Sequence, residues 1–239
     1  DTGSVSDGLR GAWMRQIMAL VMVLCLMLPG CTAPVEDEID IFYGQDLPLD
    51  DPEYDLEDFS LMNFDGNMTN LSDYEGQVLI VSFVYSRCPD VCPIVSANLR
   101  WVAEQLPDDY GTNFSIIAIT VDPWWDTSSV LADYAMRQAI DWPHLTGEVE
   151  AMQPIWESFH VGLQTYLNTS ATEENSTEEN QTSGRHHPDY LVDHSTATII
   201  IDKNHQQRVR WNDMDWEPTL FIEDLQFLMD EELSPLADS

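Results

Sequence analysis

The chain is almost without lysine. Among 239 residues only Lys203 carries an ammonium side chain, and with arginine the basic total reaches 9 against 43 Asp and Glu. The formal charge of −34 leaves no basic footprint for a phosphate backbone, which excludes nucleic acid as a partner. The acidic residues run the whole length of the chain, so they read as a solvated surface of the kind suited to a saline exterior. Cysteine is scarce, at 4, too few for a disulfide-built scaffold. Long apolar runs are also lacking. The longest, Ile17 to Leu28, is too short to span a bilayer comfortably and fits the h-region of a signal peptide behind Arg15.

These features set the expected organisation. Residues 1–30 read as upstream residues and a signal peptide. Leu28-Pro29-Gly30-Cys31 resembles the lipobox at which bacterial-type lipoproteins are cleaved and acylated, so Cys31 is the expected lipidation site. An uncleaved N-terminal anchor is the alternative and leaves the domain on the same side of the membrane. Residues 31–55 are acidic and contain proline, as a lipid-anchored tether should. Residues 56–233 form one α/β domain, and residues 234–239 a tail. About residues 164–188 lies an insertion, almost wholly Asn, Thr, Ser, Glu and Gln over Asn168 to Gly184, which cannot bury enough apolar surface to order itself. It holds acceptor sequons at Asn168, Asn175 and Asn180.

Within the domain, Val78 to Val84 is a continuous apolar run, as a buried central strand should be. Val91, Val95, Leu99, Val102 and Leu106 repeat at helical spacing. Phe114 to Val121 reads as a second buried strand, followed by helices over Ser128 to Ile140 and Glu148 to Phe159. A hairpin, Ala197 to Ile201 and Gln207 to Trp211, and an amphipathic helix over Glu217 to Glu231 close the domain. Asp65-Gly66 marks a hairpin ahead of these elements. The expected fold is α/β, with the β-α-β-α…β-β-α order of a thioredoxin-like domain, an N-terminal β-hairpin extension and the low-complexity acidic insertion.

The chemistry concentrates in Cys88-Pro89-Asp90-Val91-Cys92-Pro93. A strand feeding a helix through this loop places both sulfurs near the helix N-terminus, where aligned N–H groups, and the neighbouring Arg87, favour thiolate over thiol. Thiolates attack disulfides and ligate soft metals. The spacing of three intervening residues permits a disulfide and also leaves room for a metal ion. A stapling disulfide is an equally open reading of these two cysteines alone.

The surrounding residues resemble the Sco (SenC) family of copper-binding, membrane-anchored thioredoxin-fold proteins. Phe83 to Pro93 is similar to that family's metal loop. Thr120-Val121-Asp122-Pro123 with Asp126-Thr127 resembles its second-strand loop, and Asp189 to Ser195 resembles the segment carrying its histidine ligand, here His194. Leu56 to Gly76 resembles its entry hairpin. The resemblance implies a metal site of Cys88, Cys92 and His194, and the bottom-up chemistry agrees. Two thiolates and an imidazole form a three-ligand set that suits Cu(I) and tolerates Cu(II). A zinc site would recruit a fourth ligand such as His186 or His187. Asp122, at a strand end, either orients a ligand or tunes the site electrostatically from behind the ligands, or else caps the following helix or turn. Trp124-Trp125 departs from the family pattern, and one of the two is expected exposed near the metal.

The implied function is a copper chaperone on the extracytoplasmic face of the cell membrane. It would be lipid-anchored and deliver copper to the dinuclear copper (CuA) centre of a haem–copper oxidase, with a copper-accepting oxidase subunit as partner. Such a domain need not be an enzyme. The alternative is a thiol–disulfide oxidoreductase keeping acceptor cysteines reduced, with Cys88 and Cys92 as its catalytic pair.

Overall fold

The computed structural model describes residues 41–49, 51–167, 190–194, 197–214 and 216–232. The elements in chain order are β1 (Gln45–Asp46), β2 (Ser60–Asn63), β3 (Met68–Asn70), β4 (Val78–Val84), α1 (Val91–Gln105), β5 (Phe114–Thr120) and α2 (Ser128–Gln138). They continue with β6 (His144–Thr146), α3 (Val149–Ser158), β7 (Leu163–Leu167), β8 (Tyr190–His194), β9 (Ala197–Ile201), β10 (Gln207–Asn212) and α4 (Pro218–Asp230). Eight strands form one sheet in the order β1-β10-β9-β4-β5-β6-β2-β3, and β7 pairs β8 in a separate two-stranded sheet.

Every residue of β4 is buried, as its unbroken apolar sequence requires of a strand covered on both faces. It pairs parallel with β5, from Val78↔Phe114 to Val84↔Thr120, and antiparallel with β9, from Leu79↔Ile201 to Ser82↔Thr198. The ends of β4 and β5 therefore lie side by side, and the loops leaving them, Tyr85 to Asp90 and Val121 to Thr127, are neighbours. Helix α1 buries Val95, Leu99 and Val102 and packs against β4, α2 and α4. At roughly 1.5–3 kcal/mol for each large apolar side chain removed from water, those three anchor the helix that carries Cys92.

The expected entry hairpin is β2–β3. Its turn holds Gly66 at φ 85°, a left-handed conformation that a side chain would oppose, and the Asp65 carboxylate accepts from Asn67 N at 2.9 Å. In the closing hairpin, Lys203 Nζ donates to the carbonyls of Met229 at 2.6 Å and Glu231 at 2.8 Å. The lone lysine thus satisfies two carbonyls at the C-terminus of α4 that the helix leaves open.

Three features differ from the sequence reading. The expected tether over residues 31–55 ends earlier than its boundary at Leu56. Phe42 and Leu47 are buried and β1 pairs β10 through Gln45↔Arg210 and Asp46↔Val209. Asp224, from α4, holds this segment by accepting from Tyr43 N at 2.8 Å, Gly44 N at 2.9 Å and Trp211 Nε1 at 2.9 Å. Gly44 is required by close approach, since a Cβ there would sit 2.6 Å from Trp211 Nε1 and from Val209. Second, β6 is an unexpected strand, three residues flanked by Pro143 and Gly147 and too short to show a period. It places His144 wholly inside the protein, Nδ1 2.9 Å from the Trp142 carbonyl, among the rings of Phe64, Tyr134 and Trp142. Third, the expected insertion, about residues 164–188, begins within strand β7 (Leu163–Leu167). The rest of the insertion, its sequons, His186, His187, Cys31 and the leader lie outside the described residues.

Candidate functional site

Cys88 leaves β4 by a tight turn in which its N–H donates to Tyr85 O at 3.1 Å. Asp90 then caps α1, its carboxylate accepting from Val91 N at 2.6 Å, and Cys92 is the second residue of the helix. Both cysteines are free thiols and buried, so the stapling disulfide is not what this structure contains. The first turn of α1 turns its orphan N–H toward the loop, and Cys92 N donates to Cys88 Sγ at 3.3 Å.

That arrangement splits the two thiols, which the sequence reading treated alike. The Cys88 thiol is lowered to about 6, first because the Cys92 thiol hydrogen-bonds to it, against the opposing effect of burial, and then through the Cys92 and Asp90 backbone N–H groups. Cys92 is raised, because it is the donor in that bond and is buried beside the Cys88 charge. Cys88 is therefore the thiolate and Cys92 holds the shared proton. The expected N–H groups of the helix start are among these causes, whereas the Arg87 guanidinium, expected to push the same way, is engaged elsewhere. Its Nη2 donates to Asp122 Oδ2 at 3.0 Å and it lies 4.4 Å from the centre of the Trp125 ring.

Asp122 is fully buried. Its carboxylate grips Arg87, the residue before Cys88. The cap of α2 is Thr127, whose hydroxyl accepts from Val130 N at 3.4 Å. Of the tryptophan pair, Trp125 is exposed over Arg87, and Trp124 packs toward Trp156 at 6.2 Å between centroids.

Two buried acids at this end of the sheet were missed. Asp126 accepts from Ser86 N at 3.1 Å, from the Ser86 hydroxyl and from Thr120 Oγ1 at 2.6 Å. Burial pushes it up to about 6 against those hydrogen bonds. The Asp126-Thr127 pair was visible as a motif, but its burial was not. Asp213, after β10, accepts from Thr198 Oγ1 at 2.8 Å and is likewise pushed up to about 6, by burial first. No sequence signal marked it. Tyr85, buried beside the cysteines, has its hydroxyl raised by burial and then by the Cys88 and Cys92 charges.

The structure brings Cys88, Cys92, Arg87 and Asp122 together. His194 ends β8, opposite Leu163, and its imidazole lies outside the described side chains. Among the described residues no group of three His, Cys, Asp or Glu side chains is arranged to hold a metal ion. None of the described helices is long and apolar enough to cross a membrane.

A thioredoxin-like sheet whose central strand delivers two unpaired thiols to a helix start defines a class of thiol-bearing α/β domains. The chain belongs to the SCO1/SenC family, whose model matches residues 50–230. The bovine mitochondrial SCO2 homologue is 30% identical over 145 residues, 60% of this chain and 48% of that protein. The chain spans about half to two thirds of the length of the first curated relatives it matches. Apo Sco1 from Thermus thermophilus superposes with a TM-score of 0.60 at 26% identity, over 78% of this chain and 96% of that one. Bradyrhizobium japonicum ScoI with copper bound superposes with a TM-score of 0.58 at 21% identity, over 72% and 98%. The architecture is thus the Sco form of the thioredoxin-like fold.

Proposed function

We propose that this chain is a membrane-tethered copper chaperone that holds copper on Cys88, Cys92 and His194 and passes it to the CuA centre of a haem–copper oxidase. The observation that carries the reading is the pair of free, buried thiols that the end of β4 and the start of α1 bring together, Cys92 N donating to Cys88 Sγ, in a SCO1/SenC chain with a copper-bound structural relative. The donor set fits the cargo. Two sulfurs already within hydrogen-bonding reach, one of them a thiolate, are soft ligands suited to Cu(I), and an imidazole extends the set to Cu(II). Asp122 acts through Arg87, holding the loop that presents Cys88. Cys31 is the lipid attachment point on the extracytoplasmic face, residues 1–30 are the removed leader, and the oxidase subunit is the partner.

Copper titration of the reduced protein, followed by absorption and metal analysis, tests the reading. One copper is expected per chain, and Cys88→Ser/Cys92→Ser should abolish binding. Full affinity in that variant would sink the proposal. Cys31→Ala should release the protein from membranes with its fold intact, and an unmodified Cys31 in a correctly located chain would count against the anchor.

A second reading, a thiol–disulfide oxidoreductase, is favoured by the asymmetry of the thiols. The Cys88 thiolate attacks one sulfur of an acceptor disulfide, and the other sulfur leaves as thiolate. Cys92 then passes its proton to that released thiolate and attacks the Cys88 sulfur, breaking its bond to the second acceptor sulfur and leaving a Cys88–Cys92 disulfide and a reduced acceptor. His194→Ala separates the two readings. It should lose copper retention and keep most of its reduction of a model disulfide. Equal loss of both would mean that His194 tunes the thiols.

A further inference from the structure

We infer that Asp126 is a positioning residue for the two-cysteine loop, its carboxylate gripping Ser86 as Asp122 grips Arg87, so that Cys88 is aimed from the β5 side. The inference deepens the proposed function and rests on it for the nature of the cargo.

The carboxylate of Asp126 is fully buried and has three donors. Oδ2 takes Ser86 N at 3.1 Å and Thr120 Oγ1 at 2.6 Å, and Oδ1 takes the Ser86 hydroxyl. Two of the three donors thus belong to the loop that ends in Cys88. Helix capping does not explain the residue, because Thr127 caps α2. Its partner Thr120 is the last residue of β5, and the same hydroxyl accepts from Asp122 N at 2.9 Å. The Asp122–Asp126 turn is closed by Asp126 N donating to Asp122 O at 2.8 Å. One hydroxyl therefore registers both acids against the sheet, and the acids hold the two residues immediately before Cys88. An amide in this place offers an acceptor on one side only, so its N–H faces either the Ser86 hydroxyl, which must then turn to accept, or the Ser86 N–H and the Thr120 hydroxyl. Cys92, by contrast, is fixed by its place in α1. Ligands held from outside in this way lose metal affinity when the outer partner is removed, typically 10–100-fold.

The test uses the full chain, reduced, as wild type, Asp126→Asn, Ser86→Ala and the double variant. Three quantities are measured: the urea transition, Cu(I) affinity by competition with a chromogenic chelator, and, without copper, the ratio of Cys88 to Cys92 alkylation by peptide mass spectrometry. Each single variant is expected to lose about 10–100-fold in copper affinity. The double variant should be no worse than Asp126→Asn, because the acid acts through the serine and coupled sites are not additive. The copper-free alkylation ratio should fall severalfold with the same pattern. Additive losses, or affinity and ratio at wild-type values in Asp126→Asn, would overturn the inference. If wild type fails to bind copper while the ratio falls non-additively, the positioning role stands and the copper reading falls. Should Asp126→Asn not fold, Ser86→Ala decides: an unchanged affinity and ratio overturn the inference, and a tenfold loss supports it.

Discussion

Acidification should act on this fold through one buried imidazole. His144 has no exposed surface. Its Nδ1–H donates to the Trp142 carbonyl, which fixes the neutral tautomer and leaves Nε2 buried with no hydrogen-bond partner. Burial pushes the imidazole down to about 4. A base with a depressed folded value binds fewer protons when folded than when unfolded, so its contribution is complete above about 6.5 and is lost as pH falls toward 4. The full loss is about 3 kcal/mol, of which about 2 kcal/mol is gone by pH 5. Asp126 and Asp213, both raised to about 6, act in the opposite sense. Each stabilises the fold when protonated and loses that contribution as pH rises from about 4 to 6. The wild-type profile therefore mixes opposed effects, and the informative quantity is the difference from His144→Asn. That variant keeps a donor for the Trp142 carbonyl and cannot titrate. Urea unfolding followed by tryptophan fluorescence at pH 7.5 and 5.0 reads it. On moving between the two, the wild-type midpoint should fall by about 1 M more than the variant's, for a slope near 2 kcal/mol per M. Parallel shifts in the two proteins would refute the reasoning.

In the copper-free protein, iodoacetamide should modify Cys88 with a midpoint near pH 6 while Cys92 stays unmodified, as peptide mass spectrometry will register; equal rates would overturn the assignment of the thiolate. Gly44→Ala should cost about 1–3 kcal/mol by overpacking against Trp211 and Val209, read as a lowered urea midpoint, and an unchanged midpoint would mean that the segment yields freely. Asp224→Ala strands three donors and should cost several kcal/mol, at about 1–3 kcal/mol for each buried group left unpaired; limited proteolysis should then cut near Tyr43 first.

The parts of the fold that were legible carry a long, pure signal. Val78–Val84 is bounded as read because every position is apolar and a strand buried on both faces needs no alternation. The face of α1 is equally plain, since Val95, Leu99 and Val102 keep the helical period. At α4 the helical span was legible but its buried face is shifted from Leu220. Phe221 is fully buried and Leu220 only partly so, because the helix enters through Trp216, which stacks on Phe221 at 4.3 Å. Gln45–Asp46 and His144–Thr146 form strands by pairing with β10 and β5, which fixes their conformation from outside; two or three residues hold no pattern of their own. At the site, the cysteine pair and Asp122 were legible from spacing and resemblance. The division of labour between Cys88 and Cys92 was not, because it depends on the direction of a single hydrogen bond. Asp126 and Asp213 look like any other members of an acidic surface until the sheet closes over them.

The ammonium group that closes α4 is the chain's only side-chain amine. Every chemistry that addresses lysine, from acetylation and ubiquitin-type conjugation to amine cross-linking and surface immobilisation, meets at this one atom, and there it competes with two carbonyls. A chain terminus aside, amine reagents have this one side chain to address, and reaction there takes the ammonium from the Met229 and Glu231 carbonyls. The same label that marks the chain's single amine therefore also uncaps the end of its last helix.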